Sequence, residues 1–192
     1  MPSASLQRWR NDRHSALEEI EAAHRSIGGE GPGRRYATQQ INHAYAVLLS
    51  SQFQGFCRDL FLECADHFLH TVPSGPVRTT LRNVMIQNLR LNVGNPTPGG
   101  IGSDYNRFGL SFWDEVQALD PRNESRQDRL EELNAWRNAI AHQDFDPRKL
   151  AGAKSLHLRK IREWRTACNL LAESFDEVMR AYLLAVNSVS PW

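Results

Sequence analysis

The chain has 192 residues, which is enough for one domain with a substantial buried core. Its 23 basic and 22 acidic residues nearly cancel, so a basic field spread over the whole surface is excluded as a means of attracting nucleic acid. Any such attraction would have to come from a local patch.

The sequence shows no sign of secretion or of a membrane anchor. Its first 25 residues are rich in Arg, Glu and His and lack the apolar core of a signal peptide. No segment approaches the roughly 20 apolar residues of a membrane span. Cys57, Cys64 and Cys168 form no CxxC pair and lie in apolar stretches, so we expect free buried thiols. These features predict a cytoplasmic protein.

Helical periodicity dominates the first half of the chain. Apolar residues at steps of three, four and seven or eight predict a helix over 5–27 and a flexible joint at 28–33. A long aromatic helix follows over 36–70, and its broad apolar surface is typical of a central helix or a subunit interface. After a proline break, a third helix is predicted over 77–91. Two serines precede the first helix as candidate N-caps, Ser3 and Ser5.

The segment 92–109 is of a different kind, because it is rich in glycine and proline and shows no helical period. We predict a loop, and loops of this length are usually functional or mobile. The run Gly-Gly-Ile-Gly-Ser at 99–103 suggests a phosphate loop, but it lacks the following Lys-Ser/Thr and a preceding strand. That interpretation is therefore set aside.

The second half predicts a short helix over 112–119, a helix over 125–142, and a final helix over 161–185. The final helix has apolar residues at alternating steps of three and four, which suits packing along a neighbour. No period-two run predicts a strand. We therefore predict an all-α antiparallel bundle of four to five main helices in a single domain over 1–192, with 1–30 as a candidate extension.

The segment LNAWRNAIAH holds residue types suited to phosphate chemistry. Arg137 offers a permanent planar charge for a phosphate, His142 can transfer a proton near neutral pH, and Asn138 follows the arginine. On a helical wheel, Arg137 falls within the apolar arc of Leu130 and Ile140. It points roughly 140° away from His142, so the two converge only if Arg137 reaches around, the last turn unwinds, or two copies face each other.

Each motif residue also has a structural interpretation. Arg137 could snorkel at the core edge in an ion pair, His142 could cap the helix C-terminus, and Asn138 could form a surface or interhelical hydrogen bond. Four acidic residues could serve as the partner in that ion pair: Glu131, Glu132, Asp144 and Asp146. The three residues together, at the end of a helix in an all-helical chain, are more specific than any one of them.

Two further clusters of residues have both a functional and a structural interpretation. Cys64, His67 and His70 could offer metal ligands near a helix end, but no second cluster completes the set, so we predict no metal site and no cofactor. A basic segment follows the motif and is a solvated face, or an RNA-backbone funnel if the motif is catalytic. It consists of Lys154, Arg159, Lys160, Arg162 and Arg165.

The motif helix resembles that of the HEPN superfamily, small all-helical domains of which many are metal-independent RNases. HEPN motifs read Arg, a polar residue that is often Asn, and His after four intervening positions, here Arg137, Asn138 and His142. The stretch AYAVLLSSQFQGFCRDLF is similar to the family's early helix. Two positions depart from the family's pattern. Gln143 replaces a frequent glycine, and Asp144 replaces the tyrosine that some toxins paired with a nucleotidyltransferase antitoxin carry, which argues against inactivation through that tyrosine.

The resemblance implies a HEPN-type endoribonuclease, a toxin or antiviral-defence RNase, acting on single-stranded or loop RNA. His142 would act as general acid or base, Arg137 would stabilise phosphoryl charge, and Asn138 would orient His142 or the RNA. It also implies a homodimer with both motifs in one cleft, and an antitoxin or nucleotidyltransferase as a candidate partner. The alternatives are a non-catalytic HEPN-like module that binds RNA, a nucleotide or a protein, and a regulatory subunit whose activity waits for a partner domain.

Overall fold

The computed structural model describes residues 1–28, 35–153 and 155–192, and these residues form a helical bundle without strands. This confirms the predicted all-α fold. The elements in chain order are α1 (Ala4–Arg8), a π-helical turn (Trp9–Arg13), α2 (His14–Gly28), α3 (Arg35–Phe68), α4 (Pro76–Ile86), a 3-10 turn (Arg90–Asn92), α5 (Pro98–Tyr105), a 3-10 turn (Asn106–Phe108), α6 (Phe112–Leu119), α7 (Asn123–His142) and α8 (Leu158–Asn187).

The long helix α3 is the centre of the bundle and packs against α1, α2, α7 and α8. Three of its phenylalanines, Phe53, Phe56 and Phe61, are completely buried. Burial of one such side chain contributes roughly 1.5–3 kcal/mol. The aromatic surface of α3 is therefore used inside the chain, which favours the central-helix interpretation over a subunit interface.

The N-terminal helix is anchored at its first residues. The Ser3 hydroxyl accepts a hydrogen bond from a first-turn amide at 3.0 Å and so caps α1. Ser5 has a different role, because its hydroxyl donates to the Glu63 carboxylate of α3 at 2.6 Å. The joint predicted at 28–33 begins with Gly28, the last residue of α2, and its other positions lie outside the described residues.

The third helix is shorter than predicted, because α4 ends at Ile86 rather than near Leu91. The guanidinium of Arg107 donates to three carbonyl groups around this end, those of Met85, Gln87 and Asn88, at 3.0, 2.7 and 3.1 Å. Carbonyl groups at a helix end need partners outside the helix, and here a distant arginine supplies the donors. The chain leaves the helix at this point, and Leu91 belongs to a separate 3-10 turn.

The predicted Gly/Pro-rich loop over 92–109 is only partly a loop, because it contains α5 and a 3-10 turn. Thr97 caps α5 by accepting the N–H of Gly100 at 3.1 Å, and Pro98 occupies the first helical position, where its missing N–H costs nothing. The prediction of an irregular segment was therefore wrong for its second half. Local capping helps to begin a helix that composition disfavours.

Gly102 stands inside α5 for a packing reason. A Cβ at this position would lie 2.9 Å from Cδ1 of Trp113. The Trp113 indole N–H donates to the carbonyl of Pro98 at 2.8 Å, which fixes the ring against the helix. Glycine here permits a close approach between α5 and α6, and a glycine used in this way looks the same in sequence as a glycine in a loop.

The final helix and its apolar seam are present as the sequence pattern predicted. α8 packs along α7, and its apolar seam faces the core. Six seam residues are buried: Ile161, Trp164, Cys168, Leu171, Phe175 and Val178. Tyr182 is partly buried and Ala185 is exposed, so the seam fades over the last two turns.

The cysteine prediction is confirmed, because all three thiols are free and buried. Burial raises the pKa of the Cys168 thiol, so the unreactive protonated form is favoured. None of the helices built by the described residues combines the length and the apolar character that a bilayer crossing requires.

Candidate functional site at the end of helix α7

The candidate site lies in the last two turns of α7, and the start of that helix is held firmly. The Asn123 side chain donates to the carbonyl of Val116 at 2.7 Å, and the Arg126 guanidinium pairs with Asp120 at 2.9 Å. Hydrogen bonds from Arg122, with Arg126 beside it, lower the pKa of Asp120 to about 2. These contacts fix the direction in which the far end of α7 points.

Arg137 is half-buried and has no hydrogen-bond or ion-pair partner among the described residues. Three of the four acidic residues expected near it are paired elsewhere: Glu132 with Lys160 at 2.6 Å, Asp144 with Lys149 at 2.5 Å and Asp146 with Arg148 at 2.8 Å. The fourth, Glu131, does not pair with Arg137 either. A half-buried guanidinium without a counter-ion is costly to maintain, and it is ready to bind an anion.

His142 is exposed and is the last residue of α7. The following Gln143 adopts a left-handed conformation, with φ 54° and ψ 33°. Its N–H bonds back to the carbonyl of Ile140, and the N–H of Asp144 bonds to that of Ala139 at 3.0 Å. This pair of bonds closes the helix as a Schellman motif. The imidazole has no partner among the described side chains, so it is free to meet a ligand.

Asn138 is held by a segment that the sequence did not connect with the motif. Its side-chain oxygen accepts a hydrogen bond of 2.6 Å from the Asn95 amide. One turn earlier, Asn134 donates to the carbonyl of Pro96 at 2.9 Å and accepts from the Ser50 hydroxyl at 3.3 Å. Asn95 and Pro96, which precede α5, therefore form one wall of the site. The Oδ1 atom of Asn95 is buried and has no hydrogen-bond partner in the part of the chain that the structure describes.

An aromatic group supports the last turn of α7 from the side of α3. The His43 ring stacks on Phe145 with 5.3 Å between centroids, and Trp136 lies 6.4 Å from His43. Burial lowers the pKa of His43, so this imidazole is neutral near pH 7. The group packs the chain that follows His142 against α3, which limits how far the last turn can unwind.

A family model described as RiboL-PSP-HEPN matches residues 10–181, which is most of the chain. The chain belongs to the HEPN family. No curated protein and no solved structure matches it. The match includes α2 through most of α8, and it contains the motif helix together with the segment that bonds to Asn138.

The family assignment explains why the residue after His142 has a left-handed conformation. HEPN chains often carry glycine after the histidine, and in this HEPN chain that position is Gln143, with its positive φ. Glycine adopts this conformation at little cost, whereas glutamine must be held in it. Gln143 adds a local bond of 2.7 Å from its side-chain amide to the Ile140 carbonyl, which helps to hold the turn.

The basic residues predicted as an RNA funnel have carboxylate partners in this HEPN chain where they are described. Arg159 pairs with Glu163 at 3.1 Å, and Arg162 pairs with Glu21 at 2.6 Å. Lys160 bonds to Glu132 and, among the described members of the set, is the only one that bonds to α7. Arg165 lies 3.5 Å from the Glu21 carboxylate and donates to the Tyr45 hydroxyl, and Lys154 lies outside the described residues.

The candidate metal ligands are not gathered into a site. Cys64 is fully buried, the His67 ring packs edge-on against Trp192, and His70 is exposed. Among the residues that the structure describes, no group of three or more His, Cys, Asp or Glu side chains is arranged to hold a metal ion.

Proposed function

We propose that this HEPN chain is an endoribonuclease that cleaves RNA without a metal ion, by attack of the ribose 2′-OH. One observation carries the proposal. Arg137 and His142 lie within two turns at the solvent-facing end of α7, and neither has a partner among the described residues. An anion-binding group and a proton-transfer group are what such a reaction requires.

The chemistry can be written with these groups alone. A general base removes the proton of the 2′-OH, whose oxygen attacks the adjacent phosphorus and forms the new P–O2′ bond. The bond from phosphorus to the 5′-oxygen breaks, and that oxygen takes up a proton from a general acid. The products are a 2′,3′-cyclic phosphate and a 5′-OH end. His142 serves as acid or base, a contribution typically worth about 10²–10⁴-fold in rate.

Arg137 stabilises the charge that collects on the phosphoryl oxygens as the bonds exchange. Arg137 has no ion pair among the described residues, which favours this role over the structural one, since a structural arginine at the core edge would be paired. Asn138 orients His142 or the RNA, and Asn95 holds the Asn138 side chain.

We also propose that the active form is a homodimer. Arg137 and His142 point roughly 140° apart on one helix, so two copies facing each other would complete the arrangement that one copy leaves open. A dimer also supplies two imidazoles, one as base and one as acid. The family resemblance also suggests a toxin or defence role and a cognate antitoxin or nucleotidyltransferase partner. Identifying the neighbouring gene tests both, because an antitoxin or nucleotidyltransferase gene there would support a toxin system.

The experiment is a cleavage assay on the purified chain with single-stranded RNA in EDTA. Arg137→Ala and His142→Ala should each lower the rate about 100-fold or more. Arg148→Ala and His70→Ala are matched controls on exposed residues and should cut normally. DNA should survive because it lacks the 2′-OH. If wild type cuts no RNA, or if folded His142→Ala cuts equally well, the non-catalytic binding module becomes the better account.

A further inference from the structure

A cavity of about 320 Å³ lies beside α7, and none of the three motif residues lines it. It is formed by α7, the chain that leads into α8, and the first turn of α8. Its volume is at the lower end of the roughly 300–1,000 Å³ of small-molecule sites. The lining residues are Glu132, Ala135, Trp136, Lys149, Leu150, Ala151, Ala153, Ser155, Leu156, His157 and Lys160.

The floor of the cavity is apolar. Trp136, Leu150 and Leu156 are 5%, 3% and 1% exposed, and they are already packed into the core. The alanines in the lining add apolar surface without filling the space, because each ends at Cβ. An apolar ligand body of modest size would therefore be removed from water here without displacing any core side chain.

The lining offers N–H donors to an anion. Two ammonium groups line the cavity, from Lys149 and Lys160, and Lys149 is also paired with Asp144 outside the lining. The lining holds one carboxylate, from Glu132. That carboxylate is already engaged, since Lys160 contacts it at 2.6 Å and the Trp164 indole N–H donates to it at 3.0 Å. Burial alone would raise the pKa of Glu132, but these two bonds hold it below its usual value and keep the group ionised.

Each ammonium group has donors to spare. Lys149 contacts Asp144 at 2.5 Å, and Lys160 contacts Glu132 and, more distantly, Glu163 at 3.8 Å. An ammonium carries three N–H donors, so both lysines can still donate to a further acceptor. An acceptor group of a ligand at the mouth of the cavity would accept hydrogen bonds from these remaining N–H donors.

We infer that this cavity binds a small amphipathic anion, with an apolar body against Trp136 and Leu156 and one carboxylate-like group at Lys149 and Lys160. The inference does not depend on the proposed RNase activity. Because Trp136 directly precedes Arg137, such a ligand would contact the turn of α7 that carries the arginine. It would also stabilise the chain between α7 and α8.

The test is calorimetric titration of the whole chain with octanoate as the anionic probe, with octan-1-ol and octylamine as neutral and cationic probes of equal length. Octanoate should bind with one site per chain and about tenfold more tightly than either other probe. Lys149→Gln should weaken octanoate binding several-fold. Arg148→Gln makes the same change of charge one residue away, outside the cavity lining, and should leave binding unchanged.

A second variant tests the location. Ala153→Phe places a ring in the cavity and should abolish octanoate binding, with retained helical circular dichroism as the check on folding. The inference is overturned if octanoate does not bind, if octylamine binds equally well, or if Lys149→Gln behaves like Arg148→Gln. It is also overturned if folded Ala153→Phe still binds octanoate. None of these outcomes bears on RNA cleavage, so the two proposals fail separately.

Discussion

Replacing Asp104 with alanine should destabilise the protein strongly, although Asp104 lies outside the motif. Its carboxylate is completely buried and accepts the N–H groups of Arg90 and Leu91 at 3.0 and 2.8 Å. Hydrogen bonds to a charged group contribute about 1.5–3 kcal/mol each, so the two bonds together represent roughly 3–6 kcal/mol. Asp104→Ala leaves both N–H groups without their acceptor, and we expect a loss of at least about 3 kcal/mol in the free energy of unfolding.

The measurement is urea unfolding followed by circular dichroism. Asp104→Asn keeps one oxygen of similar position and should lose about half as much. Asp128→Ala, on the exposed face of α7, is the matched control and should change the free energy by less than about 0.5 kcal/mol. If Asp104→Ala costs less than about 1 kcal/mol, then the carboxylate does not fix the segment that carries Asn95, and our account of how that wall of the site is positioned fails.

Three further outcomes are expected. Light scattering at micromolar concentration should give twice the chain mass of 21.9 kDa, and a stable monomer would remove the composite site. Asn95→Ala should slow RNA cleavage several-fold at saturating RNA while the protein stays folded, and an unchanged rate would show that its bond to Asn138 is not used. Burial lowers the pKa of His43, so the unfolded chain takes up that proton first, and the stability that neutral His43 provides is lost as pH falls below about 6.5. In His43→Gln, the free energy of unfolding should therefore decrease less steeply between about pH 7 and 5 than in wild type, and an equally steep decrease would contradict this. Some decrease should remain, because burial also lowers the pKa of His24.

Helices with a strong apolar period were predictable from the sequence. The clearest is α8, because its apolar seam repeats every three or four residues and is therefore visible in the local sequence. The helix α5 was not predictable in this way. Its glycines oppose a helix, and its stability rests on the bonds of Asp104 to Arg90 and Leu91 and on the approach of Trp113 to Gly102. Such contacts depend on the tertiary fold, which a local pattern does not contain.

In the candidate site, too, some residues were predictable from the sequence and others were not. Arg137, Asn138 and His142 are close in sequence and form a recognisable pattern, so they could be named before the fold was known. Asn95 could not, because 43 residues separate it from Asn138 and its surroundings predict only a turn. That Arg137 has no counter-ion among the described residues also required the structure, since four acidic residues nearby in sequence were equally good candidates.

Metal-independent attack by the 2′-OH is tested by comparing two short RNAs in EDTA, one unmodified and one with a single 2′-deoxy nucleotide at the cleaved position. Wild type should cut the first and leave a 2′,3′-cyclic phosphate and a 5′-OH, and it should not cut the second at that position. His142→Ala, folded as judged by circular dichroism, should cut neither at a comparable rate. Cleavage at the 2′-deoxy nucleotide, or cleavage by His142→Ala at the wild-type rate, would contradict the account.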